Sequence, residues 1–290
     1  TGVQTCALPI YERAIALQPD YAEAYYNRGN ALQELKRTDD ALASYNKAVS
    51  LQPGHVRARW AKAFAYLPGV ATGTDDLDVL RNQFQHALTE FDAWLSAHSP
   101  EDAYTAVGTR QPFYLAYQAP NNRALLSQYG DLCRKMMAPW ESRNQIHVTT
   151  ASRPKIQIGL VSAYVHEHSV WDAILKGWIQ HLDPEKFEIH IFYLDHADDA
   201  ETDWARAHAA SFTKSQASVL AWSQAILSKR LDVAIYPEIG MHPLTVQLAS
   251  LRLAPVQAAS WGHPETTGLP TMDYYLSAQA LEPPGAERHY

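Results

Sequence analysis

Residues 11–19 read YERAIALQP, and residues 45–53 read YNKAVSLQP. The two stretches superimpose when the chain is shifted by 34 positions. A period of that length marks a helical hairpin that buries its apolar face only against its neighbours. The full unit runs from Ala22 to His55, AEAYYNRGNALQELKRTDDALASYNKAVSLQPGH. Its signature positions are Tyr25, Gly29, Leu32, Ala41, Tyr45, Ala48 and Pro53. Gly29 and Ala41 are small where two antiparallel helices must touch, and Tyr25, Leu32 and Tyr45 fill the space between helices. Pro53 ends the second helix. Thr38 is the expected cap of that helix, with Asp39 and Asp40 in its first turn.

Period and signature together are those of a tetratricopeptide repeat. A third copy begins at His55, keeps Ala58, Trp60 and Ala63, and fades by Tyr66. One and a half repeats cannot bury their faces alone, so either repeats precede this chain or the stub packs on the residues C-terminal to it. Taken alone, such repeats predict a protein-binding scaffold. The first ten residues, TGVQTCALPI, resemble a translated sequencing adapter. Residues 1–10 are therefore expected to be non-native, and the chain is expected to be a fragment of a longer protein, ending just after a Pro-Pro turn.

Composition narrows the class. A chain of 290 residues carries a prior of two domains. At 47% hydrophobic and 19% charged it is neither disordered nor collagen-like. A net charge of −7 with no Lys/Arg block argues against nucleic acid or an anionic membrane as partner. No apolar run is long enough for a transmembrane helix. Two cysteines, Cys6 and Cys133, make no disulfide framework, which points to a reducing compartment such as the cytoplasm.

After the repeats, residues 11–66, comes a helical connecting region, residues 67–153. Pro68, Gly69 and Gly73 break the repeat pattern. From Asp75 to Ala97, Leu77, Leu80, Phe84, Leu88, Phe91 and Leu95 recur at helical spacing. Ser99-Pro100 is read as another helix start, Gln111 to Gln118 as an aromatic packing wedge, and Asn121 to Met137 as an amphipathic helix. Residues 138–153 are read as a linker.

From residue 154 the period changes. Strands are expected at Lys155–Ala163, Phe187–Leu194, Leu231–Tyr236, Val256–Trp261 and Met272–Ser277. Helices are expected at Val170–Leu182, Ala200–Ala210, Ala217–Arg230 and Pro243–Leu253. Such alternation predicts a parallel, Rossmann-like sheet with helices on both faces, so the fold class is α followed by α/β. Ligands bind such sheets at the carboxyl ends of the strands.

Four histidines and three carboxylates fall on that edge. His166, Glu167 and His168 follow the first strand; Glu238, Gly240 and His242 follow the Leu231 strand; Gly262, His263, Pro264, Glu265, Thr266, Thr267 and Gly268 follow the Val256 strand. Ser169, with Asp172 three residues on, is the expected cap of the next helix. His168 then stands beside a helix N-terminus, which disfavours a protonated imidazole. A neutral His168 could act as a base or as a hydrogen-bond donor. The glycines could serve only as turns, and Glu238 could simply cap a helix. A metal held by His166, His168, His242 and His263 with Glu167 is the rival reading, but no His-Glu-x-x-His pattern supports it. No nucleophile elbow, Gly-x-Gly-x-x-Gly or phosphate-cradling Gly-rich loop with Lys is present.

The repeats, QPFYLAYQ with NNRALLSQYG, then IGLVSAYVHEHSVWDAILKGW, then VAIYPEIGMHPLTVQLASLRLAPVQAASWGHPETTGLPTMDYYLS, resemble bacterial members of the O-linked N-acetylglucosaminyltransferase family. The resemblance covers nearly all of residues 11–290 and implies a GT-B glycosyltransferase. Residues 154–290 would be its N-terminal catalytic lobe, and the C-terminal lobe, which holds UDP in that family, would lie beyond Tyr290. It also implies inverting transfer of N-acetylglucosamine from UDP-GlcNAc to Ser or Thr of acceptor proteins presented by the repeats, without a cofactor or metal. By the same resemblance His168 is the candidate catalytic residue. His263, Pro264, Thr266 and Thr267 would face the donor sugar, and His166, Glu238, Gly240 and Gly262 are grouped with them as substrate-binding candidates. The isolated chain is expected to bind UDP weakly or not at all and not to turn over. A related transferase that uses UDP-glucose or modifies Asn, and a non-catalytic repeat scaffold, are the two alternatives.

Overall fold

The computed structural model describes residues 2–67 and 76–290. Pro68, Gly69, Gly73 and Asp75, read above as the break after the repeats, lie outside the described residues. The chain divides into two compact units, Thr1–Gln118 and Ala119–Tyr290.

The first unit is helical: α1 Gly2–Leu17, α2 Ala22–Glu34, α3 Thr38–Leu51, α4 Val56–Phe64 and α5 Leu77–His98. In α2 and α3 the hairpin is built as the repeat demands. Gly29 lies against the Tyr45 ring, where a Cβ would come within 2.5 Å of it. Tyr26, Leu32, Ala41, Tyr45 and Ala48 form the buried cluster, and half-buried Tyr25 packs on its rim. Helix α3 stops at Leu51, two residues before Pro53. Its cap position is Arg37, and Thr38 is already helical, with no side-chain cap. Arg37 instead bonds Asp40 at 2.8 Å, so the first turn is held by an ion pair. His55 caps α4: its Nδ1 accepts the Ala58 N–H at 3.3 Å, leaving Nε2–H to donate to Glu23 at 3.0 Å.

Two readings of the connecting region change. Ser99 ends α5 in the left-handed conformation, φ 42°, rather than starting a helix. In the expected aromatic wedge Pro112 and Leu115 are buried, whereas Tyr114 and Tyr117 are exposed.

The second unit begins with α6, Arg123–Arg143. This helix runs past Met137 and through Pro139, so residues 138–143 are helical rather than linker. Contacts beyond the proline hold it. Trp140 is buried, and Glu141 pairs with Arg134 at 2.5 Å and accepts the Arg252 N–H at 3.1 Å. Then come β1 Ile156–Ser162, a π-helical turn Trp171–Leu175 leading into α7 Lys176–His181, β2 Phe187–Tyr193, α8 Ala200–His208 and β3 Ser211–Lys214. The unit continues with α9 Val219–Ser228, β4 Val233–Tyr236, α10 Pro243–Ala249, β5 Val256–Ser260 and β6 Tyr274–Leu276.

All six strands are parallel, in the order β3-β2-β1-β4-β5-β6. β1 and β4 are neighbours although β2 and β3 separate them in sequence. The strand order therefore reverses between them, and this switch point opens a crevice at their carboxyl ends. One face is sealed by Ile158, Leu160, Ile189, Ile191 and Ile235 against Val170, Trp171, Leu175 and Ala205 of the following helices. Along β1 every residue from Gln157 to Ser162 is buried, on both faces, as a parallel sheet requires.

Candidate functional site

The loops singled out in the sequence leave the sheet on its carboxyl edge. The histidine loop follows β1 and the Glu238 loop follows β4, on either side of the switch point. The His263 loop follows β5, next along.

The histidine loop is held by side chains from four elements. Glu238 Oε1 accepts the Ala163 N–H at 3.0 Å, and Ser162 Oγ accepts the Tyr164 N–H at 3.0 Å. Thr202 of α8 donates to the Val165 carbonyl at 2.7 Å. Tyr193, at the end of β2, bonds His166 Nδ1 through its hydroxyl at 2.8 Å. Asp199, the cap of α8, accepts the Glu167 N–H at 2.7 Å and the Thr202 N–H at 2.9 Å. A loop tied at five successive residues is preorganised.

His168 stands at the end of this loop. Its ring stacks on Tyr164, centroids 4.1 Å apart, and lies 5.9 Å from the His166 ring. Its Nδ1 accepts the Val170 N–H at 3.1 Å, and its carbonyl accepts the Asp172 N–H at 3.0 Å. His168, not Ser169, therefore caps the helix. Burial lowers its pKa, the neighbouring His166 adds to this, and Asp172 opposes it. That direction favours the neutral ring at pH 7, and because Nδ1 accepts the Val170 N–H the proton is assigned to Nε2. His168 thus presents an N–H donor. Acting as a base would require a tautomer change and loss of the Val170 bond.

Glu238 does not reach the crevice. It is fully buried, with the Thr245 hydroxyl of α10 donating to Oε1 at 3.2 Å beside the Ala163 N–H. Burial pushes its pKa up to about 7 against the donors Ala163, Ser162 and Thr245. A group so enclosed cannot touch a substrate, so it supports the site from behind. Gly240, at φ 105°, lets the buried His263 ring lie alongside, 3.6 Å from where a Cβ would stand. Gly262 passes so close to the Pro237 carbonyl that a Cβ would collide with it. Both glycines therefore have steric reasons for being there.

Pro264 and Thr266 line a cavity of about 220 Å³ with Asn122, Arg123, Glu265 and Tyr290. Asn122 bonds Glu265 at 2.6 Å. Thr266 and Thr267 hydroxyls accept the Gly268 and Leu269 N–H groups at 3.3 and 3.1 Å, shaping the loop. The candidates thus fall into three groups: His166 and His168 with Tyr164 in one, His263 with Gly240, Gly262 and Glu238 in another, and Pro264, Thr266 and Thr267 in the loop beyond His263. His242 precedes α10 with no side-chain cap bond, its pKa lowered by burial against the pull of Asp195. Among the described residues no three His, Cys, Asp or Glu side chains assemble a metal site. Sequence reading misses Tyr193, Asp199 and Thr202, whose partners lie 27 to 37 residues away.

Comparison with known proteins fits this architecture. Tetratricopeptide-repeat families match residues 22–55 and residues 7–36. No curated protein matches the chain. A solved structure of the O-GlcNAc transferase of Thermobaculum terrenum, a lysine-to-methionine mutant, is similar with a TM-score of 0.56 at 19% identity. The similarity covers 98% of this chain and 52% of that one, so the chain spans about half the length of the protein it matches. The chain therefore joins tetratricopeptide repeats to a six-stranded parallel α/β unit, in the fold of that transferase's corresponding half.

Proposed function

We propose that the chain is the acceptor-side half of a protein glycosyltransferase that moves N-acetylglucosamine from UDP-GlcNAc to Ser or Thr hydroxyls with inversion. The observation that carries this reading is the tethered histidine loop at the switch point of a 3-2-1-4-5-6 sheet, in a chain that also carries protein-binding repeats.

The site chemistry supports a division of labour. Donor cleavage releases a diphosphate, whose charge needs cations or aimed N–H groups. The loops that leave β1, β2, β4 and β5 contain no Lys or Arg, while Glu167, Asp195, Asp198, Asp199 and Glu265 lie in them. Side-chain cations for the diphosphate must then come from outside these loops. What the edge supplies is a neutral His168 with a fixed Nε2–H donor, suited to orient an oxygen of the acceptor or the sugar. The repeats present the acceptor protein. The same shortage of cations also favours a second reading, a repeat scaffold whose sheet no longer binds donor.

Labelled-sugar transfer to protein by the complete gene product separates the two. UDP-GlcNAc is supplied in one arm and UDP-glucose in the other. Transfer from UDP-GlcNAc is expected; transfer from UDP-glucose alone would reassign the donor, and none from either would favour the scaffold.

A further inference from the structure

We propose that Glu238 is a positioning residue, a buried carboxyl that fixes the histidine loop by joining the end of β1 to the first turn of α10. This rests on reading that loop as the reacting edge, but its test does not depend on transferase activity.

The geometry is a relay of fixed contacts. One carboxyl oxygen, Oε1, receives both the Ala163 N–H and the Thr245 hydroxyl. Ala163 is the first residue after β1, so that bond sets the direction in which the chain leaves the sheet. Tyr164 comes next, its N–H bound by Ser162, and its ring stacks on His168. The stacked ring in turn keeps Nδ1 on the Val170 N–H. On the other side, the Glu238 Cβ lies 3.3 Å from where a Cβ of Gly262 would stand, so the His263 loop is packed on the same residue. A buried carboxyl is costly to keep, and an apolar residue would fill the space at less cost. What an apolar residue cannot do is accept the Ala163 N–H, which would be left buried and unpaired.

The test reads the tautomer of His168 in the full chain by long-range proton–nitrogen NMR with ¹⁵N-labelled histidine. His168→Gln assigns the signal. Wild type is expected to show a single Nε2–H form. Glu238→Gln, which keeps an acceptor oxygen in place, is expected to retain it. Glu238→Leu is expected to lose it, with the signal averaging between tautomers, while Thr245→Val alone leaves it in place. If Glu238→Leu does not fold, Glu238→Asp, whose shorter arm falls away from Ala163, carries the same expectation. An unchanged His168 signature in a folded Leu or Asp variant overturns the proposal, as does its loss in Glu238→Gln. Failure of sugar transfer would leave these NMR outcomes intact, so the two claims fail separately.

Discussion

Alanine at Gly130 is the most discriminating test of the packing behind the site. Gly130 lies inside α6, where Gly→Ala ordinarily stabilises by about 1 kcal/mol. Here a Cβ would run into the carbonyl group of Gly268 and stand 2.7 Å from the Leu269 nitrogen. The obstacle is backbone and cannot rotate aside. Gly268 is itself at φ 65°, and a Cβ there would collide with the Leu126 carbonyl, so helix and loop meet main chain to main chain. Overpacking costs roughly 1–3 kcal/mol, and with backbone on both sides the upper end applies. Subtracting the helix gain leaves a net loss of about 2 kcal/mol. For a unit of this size each kcal/mol moves the midpoint by roughly 2–4 °C, so the fall should be about 4–8 °C. Thermal unfolding followed by circular dichroism reads it. Gly177→Ala is the control: it too is a helical glycine, but its Cβ would meet nothing within 4 Å, so its midpoint should rise. A rise for both variants would refute the backbone contact between α6 and the loop after β5.

Three other outcomes are expected. Gly29→Ala should cost roughly 1–2 kcal/mol after the helix gain is subtracted, because the Cβ would press on the fully buried Tyr45 ring; urea unfolding of the chain measures it. Asp199→Ala removes the α8 cap and the bond to the Glu167 N–H. It should cost about 1–2 kcal/mol by the same assay. Glu238 has a pKa raised from 4.5 to about 7. The folded state therefore holds a proton that the unfolded state has lost between those values, and the contribution of Glu238 to stability falls as pH rises through that window. Relative to wild type, Glu238→Gln should gain up to about 3 kcal/mol between about pH 4 and pH 8, read from urea midpoints. A flat difference would contradict the burial of an ionisable carboxyl there.

Much of the fold is legible in the sequence because its signals are local. The 34-residue shift and the five strands rich in branched aliphatic, Ala or aromatic residues need no distant partner to be seen. β3 escapes such a reading because SFTK at 211–214 holds a single large apolar residue, and pairing with β2 alone makes it a strand. Residues 138–143 and Ser99 mislead because their local signals, a polar stretch and a helix-capping residue, are outweighed by tertiary contacts of Trp140 and Glu141 in one case and by the left-handed end of α5 in the other. At the site, the placement of His166, His168 and Glu238 on one sheet edge comes from strand–helix alternation. What each atom does depends on hydrogen bonds that local pattern does not encode. That Glu238 faces inward, that His168 is its own helix cap, and that Tyr193 and Asp199 hold the loop all require strands β1, β2 and β4 to lie side by side.

The most direct test of the central claim is transfer by the complete gene product carrying His168→Ala, compared with wild type. Initial rates with UDP-GlcNAc and an acceptor protein are measured together with acceptor binding through the repeats. Loss of a fixed donor at a reacting oxygen should lower the rate by roughly 10²-fold, with acceptor affinity unchanged. Equal rates in the two proteins, or no transfer by wild type, would contradict the account.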